Sequence, residues 1–273
     1  MYWVLVEQPG PWGRDALTQS HLAPDFGRAL TDWASTAAAD APVRVGVIRR
    51  PGRHADSLEG ITSRTVLIAA SGPEQNQLQI RRVDDAREIL TWDLPSLMGS
   101  PQQETNGTNG TNAATATNAL LICTNARRDQ CCALLGRPLA AQLAQQTGAS
   151  NTQVWETSHL GGHRFAPTLV DLPSGYLFGG STASTRSVDA CRGRSSLPPP
   201  AQAAELAVMR QLEWTHPSPL AVRGGDGGGD YTVTAPDHTT FHVSVVQQVL
   251  PPRPESCGKA SVSGISWRAA ITR

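Results

Sequence analysis

Residues 119–132 read Ala-Leu-Leu-Ile-Cys-Thr-Asn-Ala-Arg-Arg-Asp-Gln-Cys-Cys; residues 153–163 read Gln-Val-Trp-Glu-Thr-Ser-His-Leu-Gly-Gly-His. Ala119 to Cys123 is a short apolar run, as expected of a buried strand. Asp129 to Gln146 has helical composition, with Pro138 expected to kink or split it. Gln153 to Thr157 is a second strand. Thr168–Leu172 and Tyr176–Phe178 flank a Pro-Ser-Gly turn, which predicts a hairpin, and Ala201–Leu212 predicts a closing helix. The order is β-α-β-β-β-α.

Upstream, the same order appears. Val4–Glu7 predicts a strand, Phe26–Ala39 a helix, Val43–Ile48, Thr65–Ala70 and Leu78–Val83 three strands, and Asp84–Leu90 a short helix. A duplicated α/β architecture follows as an expectation, although the halves share little visible sequence. The chain divides into residues 1–98, a polar repetitive linker or loop at 99–118, and residues 119–273. The linker is too polar to offset its ordering entropy by burial. Tyr231–Thr234, Thr239–Val249 and Ser261–Thr272 predict an antiparallel β extension at the C-terminus.

The formal net charge is zero, so neither a nucleic-acid nor a membrane-surface partner is indicated. No apolar run reaches the length of about 18 residues that a membrane span needs. Met1–Glu7 has no basic segment or cleavage site, so it is read as a strand and not as a leader. Asn106 and Asn109 each begin an N-x-T sequon, and without a leader glycosylation is not expected. Five cysteines, an odd number, argue against a disulfide framework and for a reducing, cytoplasmic location.

The chemistry-bearing residues cluster. Cys123 and Cys132 are spaced C-x8-C, with Cys131 as an alternative partner, and His159 and His163 are spaced H-x3-H. Thiolate and imidazole are ligands for soft or borderline metals. Gly161 and Gly162 permit a tight loop that folds both imidazoles onto one centre. If the helix begins near Arg127, Cys132 lies about two and a half turns after Cys123. The four groups would then gather at one end of the sheet. His238 and His242 are also H-x3-H, but in a strand such residues stand about 13 Å apart and cannot chelate one ion. Structural zinc sites usually use C-x2–4-C, so C-x8-C suits a two-iron cluster better.

Longer stretches carry a resemblance. Cys123–Ala133, Gly-Arg-Pro (136–138), Val154–Thr168 with its His-Leu-Gly-Gly-His-Arg-Phe-Ala-Pro-Thr run, Leu172–Gly179, Gln202–Val208 and Ser-Cys-Gly (256–258) resemble the sucrase/ferredoxin-like family, as do Glu7–Gly13 and Ile48–Arg53. That resemblance implies a thioredoxin-like ferredoxin fold with a [2Fe–2S] cluster; with the repeated element order, the expectation is two thioredoxin-like α/β domains, the C-terminal one carrying the cluster. In relatives with all-cysteine ligands the second pair is C-x3-C, and here H-x3-H stands in its place. Carried over by position, the ligands are Cys123, Cys132, His159 and His163, with Cys132 chosen over Cys131 by the family's spacing. The implied function is single-electron transfer between a reductase and an electron acceptor. A zinc-stabilised Cys2His2 binding module is the first alternative. A redox enzyme using the cluster or Cys131 is the second. Arg127, Arg128 and Arg164 crowd the ligands, and Asp129 is placed to cap the helix or orient a ligand. Cys191 and Cys257 are read as structural. No phosphate-binding glycine motif or nucleophile elbow is present, and no carboxylate pair stands out for glycoside cleavage.

Overall fold

The computed structural model describes residues 1–38, 41–52, 62–72, 75–99, 117–148, 151–225, 228–256 and 258–272. Most of the 99–118 segment, with both sequons, and Cys257 lie outside them. Nine strands form one mixed sheet. Across it run β4 (Asn76–Val83), β3 (Arg64–Ser71), β1 (Tyr2–Glu7), β2 (Val43–Arg49), β6 (Thr152–Thr157), β5 (Asn118–Cys123), β7 (Thr168–Leu172), β8 (Tyr176–Gly179) and β9 (Cys191–Arg194). β1 and β5 are nearly continuous apolar runs because both of their faces are covered.

The two halves repeat one pattern. β1 runs parallel to β2 and antiparallel to β3, which pairs antiparallel with β4. β5 stands in the same relations to β6, β7 and β8. The halves meet where β2 pairs antiparallel with β6 through Ile48↔Thr157 and Arg49↔Glu156. Ile48 is the partner of Glu7 in one half, and Thr157 is the partner of Cys123 in the other. The seam therefore lies on an approximate twofold axis.

Helix α1 (Pro24–Ala34) sets Phe26 and Leu30 against Val4, Val6 and Val47. A 3-10 turn at Ala86–Thr91 and helix α2 (Leu94–Gly99) replace the single short helix expected at Asp84–Leu90. In the second half, α3 (Gln130–Gln146) buries Leu139, Ala140 and Leu143 against Leu120 and Ile122. A core of Trp3, Leu5, Leu67, Leu121, Trp155 and Val170 spans both halves and includes Cys123 and Cys132. Helix α4 (Pro199–Gln211) joins the main sheet to a four-stranded antiparallel sheet of β10 (Ala221–Gly224), β11 (Gly229–Thr234), β12 (Thr240–Pro254) and β13 (Ser261–Thr272). Under α4, buried Glu205 accepts from Arg194 Nη2 (2.8 Å), Tyr176 Oη (3.1 Å) and the Leu220 amide (3.2 Å).

Three expectations need correction. Pro138 neither splits nor ends the helix: α3 is one element from Gln130 to Gln146. The carbonyl that loses its partner belongs to Leu134, four residues earlier, and Leu134 is 71% exposed, so water can take that bond. The second half carries an extra strand, β9, at its edge, and the extension begins one strand earlier, at β10. His238 is not a strand residue. It sits in the turn before β12 with φ 68°, while His242 lies within β12.

Candidate metal centre

Cys123 ends β5, in register with Thr157 at the end of parallel β6, so one end of the sheet presents both segments that carry the candidate ligands. The chain then leaves the sheet through a turn. Asp129 caps α3, its Oδ1 accepting from the Cys131 amide at 2.9 Å, and the helix starts at Gln130, three residues later than the expected Arg127. Cys132 thus lies in the first helical turn, and the expected two and a half turns between the cysteines do not exist. α3 lies close on β5: a Cβ on Gly136 would meet the Cys123 carbonyl oxygen at 2.3 Å. Both Cys123 and Cys132 are fully buried.

The histidine loop follows β6. Gly161 (φ 91°) and Gly162 (φ 66°) take left-handed conformations that favour glycine, and they double the chain back. The His159 and His163 rings therefore stack, with centroids 4.2 Å apart and planes 20° off parallel. The Gly161 amide donates to His159 Nδ1 at 3.4 Å, which puts the proton of neutral His159 on its other nitrogen.

The four side chains form a closed ring of contacts. Cys132 Sγ is 3.3 Å from His163 Nδ1, His163 stacks on His159, and the Cys123 thiol neighbours both Cys132 and His159. The Cys132 hydrogen bond holds the Cys123 thiol well below its ordinary range, against the opposing effect of burial. The Cys123 contact, with burial, pushes Cys132 up. Burial, and then the neighbouring His159, lower His163. Among the described residues no group of three or more His, Cys, Asp or Glu side chains is arranged to hold a single ion. The ring is better described as two adjacent pairs, thiols on the buried side and half-buried imidazoles on the other.

The first half contributes residues that sequence reasoning missed. Arg44 of β2 donates from Nη2 to the His159 carbonyl at 3.1 Å and lies 5.0 Å from the Trp3 ring centroid. Ser158 donates its amide to Val47 O at 2.9 Å, and its Oγ accepts from the Val47 amide at 3.3 Å. Arg49 and Glu156 form a buried pair at 2.9 Å, and Thr124 Oγ1 donates to the same carboxylate oxygen at 2.8 Å. Arg49 also lies over the Trp12 ring at 3.8 Å. The Arg-Arg run at 49–50 was the available signal, but only the pairing of β2 with β6 gives it a partner.

Around the ring, Arg127 and Arg128 line a shallow cavity of about 440 Å³ together with Asp129, Gln130 and Gly258. Arg164 and Arg192 lie over the Phe165 ring, at 4.7 and 3.6 Å. Cys131 is disulfide-bonded, contrary to the expectation of thiols throughout, and this removes it as a rival ligand to Cys132. Cys191 is buried in the second-half core, where burial pushes its thiol up to about 12. His238 and His242 lie in and before β12, and neither joins the ring.

The model of the Sucrase/ferredoxin-like family matches residues 1–194, and the chain belongs to that family. The match runs through all four ring residues and stops at the end of β9. No curated protein and no solved structure matches the chain.

Proposed function

We propose that this protein is a single-electron carrier that holds a [2Fe–2S] cluster through Cys123, Cys132, His159 and His163. The observation that carries the proposal is the gathering of these four side chains at one end of the sheet. A two-iron cluster needs two protein donors at each iron, and the two thiols and the two imidazoles would supply one pair to each. Bound there, the cluster supplies a site that accepts and returns one electron.

The chain's own residues hold and orient that site. The buried thiols anchor the inner side, with Asp129 fixing the helix that carries Cys132. Arg44 and Ser158 tie the histidine loop to β2. Half-buried imidazoles give the outer side an aromatic edge that a partner can approach. Their neutral charge raises the potential relative to an all-thiolate set. Each half is proposed to be a thioredoxin-like unit, since both show the same strand order and sense. A reductase and an electron acceptor are the proposed partners. Among the described residues no helix is long and apolar enough to cross a membrane. The cytosol is the proposed compartment, on the ground that Cys123, Cys132 and Cys191 are unbridged; the Cys131 disulfide, uncommon in that compartment, is the observation that weighs against it. Aerobically purified protein should be red-brown and contain about two irons per chain. Colourless protein with stoichiometric zinc would overturn the reading in favour of a zinc-stabilised module.

A further inference from the structure

The seam's twofold axis gives the candidate metal centre a counterpart in the first half. Register places Glu7 of β1 where β5 has Cys123. Two residues past the Ile48–Thr157 pair, it places Arg50 where the second half has His159. Continued through the outer strands, it sets Thr65 against Thr168 and Arg82 against Gly179. A carboxylate thus stands in the place of one thiol and a guanidinium in the place of one imidazole, with the Arg82 guanidinium on the outer strand beside them. Guanidinium has no lone pair to give a metal.

This counterpart is a cavity of about 370 Å³ lined by Glu7, Arg50, Ser63, Arg64, Thr65 and Arg82, among others. That volume suits a small molecule. Three cationic side chains face one carboxylate, so two positive charges are left over among the described lining residues. None of the ion pairs among the described residues includes Arg50, Arg64 or Arg82. Each guanidinium is positioned by something else. Arg50 lies 3.6 Å from the Trp155 ring centroid, Arg64 Nη1 donates to Glu7 O at 3.1 Å, and Arg82 Nε donates to Ser63 Oγ at 3.2 Å. Glu7 Oε2 is occupied by the Thr65 amide at 3.1 Å. Partial burial, opposed by Glu7, lowers Arg64, and Arg50 is shifted the same way although its side chain is exposed.

We propose that this cavity binds a small dianion of the phosphate class, either inorganic phosphate or the phosphate end of a monoester. Planar guanidinium forks match phosphate oxygens two at a time, which an ammonium group cannot do. The proposal does not depend on the metal centre. Calorimetric titration of the full chain, with inorganic phosphate and separately with glycerol 3-phosphate, tests it. Saturable one-to-one binding is expected. It should weaken at least tenfold in Arg64→Met and in Arg82→Met and stay unchanged in Arg223→Met, an exposed arginine on β10. Tighter binding of the ester would identify a metabolite phosphate, and equal binding the free ion; both support the site. Arg82 is exposed, so its variant should fold even if Arg64→Met does not. Absence of saturation would overturn the proposal, as would equal affinity in Arg82→Met and wild type. Retention of a polyglutamate peptide without phosphate binding would also overturn it, in favour of an acidic protein partner.

Discussion

The two halves of the sheet share strand order, strand sense and the place where the chain leaves the parallel pair, yet they put different chemistry there. The second half ends β5 on Cys123 and follows β6 with two imidazoles. The first ends β1 on Glu7 and follows β2 with Arg50 in a cationic cavity. The fold fixes where a functional side chain stands, and residue type at a few positions decides what it can hold. The halves are also coupled, because β2 of the first half carries Arg44, which holds the histidine loop of the second.

The sharpest way to break this contrast is to exchange the thiols. Cys123→Ser or Cys132→Ser should abolish the visible colour and iron content. Cys131→Ser and Glu7→Gln should keep both. Bleaching by Glu7→Gln would mean that the first half takes part in the candidate metal centre. Next in size is the seam. Glu156→Gln leaves Arg49 charged and buried, and should destabilise by about 3–5 kcal/mol in urea denaturation. The double variant Arg49→Met/Glu156→Gln should recover much of this, and additive losses would show that the two residues do not act as a pair.

A smaller effect is expected at the contact between α3 and β5. Gly136→Ala places a methyl group against the Cys123 carbonyl and should cost about 1–3 kcal/mol, with partial loss of iron. Unchanged stability would mean that the helix can slide away from the strand freely. The second half also has a buried pair of its own under α4. Burial, opposed by Arg194, raises the Glu205 pKa above the ordinary carboxyl value of 4.5. The folded state then binds the proton more tightly than the unfolded state. The contribution is present below the ordinary value and lost as pH rises through the raised one. Glu205→Gln should flatten that part of the stability–pH curve, and an unaltered slope would exclude Glu205 as its source. The smallest effect, none on colour or iron, is expected from His238→Ala and His242→Ala, which share the spacing of the ring histidines but not their loop.

The sequence made the strand–helix–strand unit at 119–157 legible because apolar runs and turn residues are local signals. The gathering of Cys123, Cys132, His159 and His163 was legible through their spacing and the glycine pair. The helix at Asp129–Gln146 and its Asp129 cap were legible, but the turn count between the cysteines assumed a start near Arg127 that the cap rules out. β9 was missed because Cys-Arg-Gly-Arg shows no apolar alternation. The seam was invisible because apolar pattern does not say which edge strand meets which, so the roles of Arg44 and Arg49 were invisible too.

The seam also bears on the order of assembly. Arg49 and Glu156 are 107 residues apart in the chain, whereas the pairings inside each half join nearer segments. Loop-closure entropy makes distant contacts the slower ones to form. The halves should therefore acquire protected amides first and dock second. In pulse-labelled hydrogen exchange during refolding, Ser158 and Gln8 mark the two stages. The Gln8 amide bonds Ile48 within the first half, and the Ser158 amide bonds Val47 across the seam. Simultaneous protection of both would mean that the seam forms with the halves and not after them.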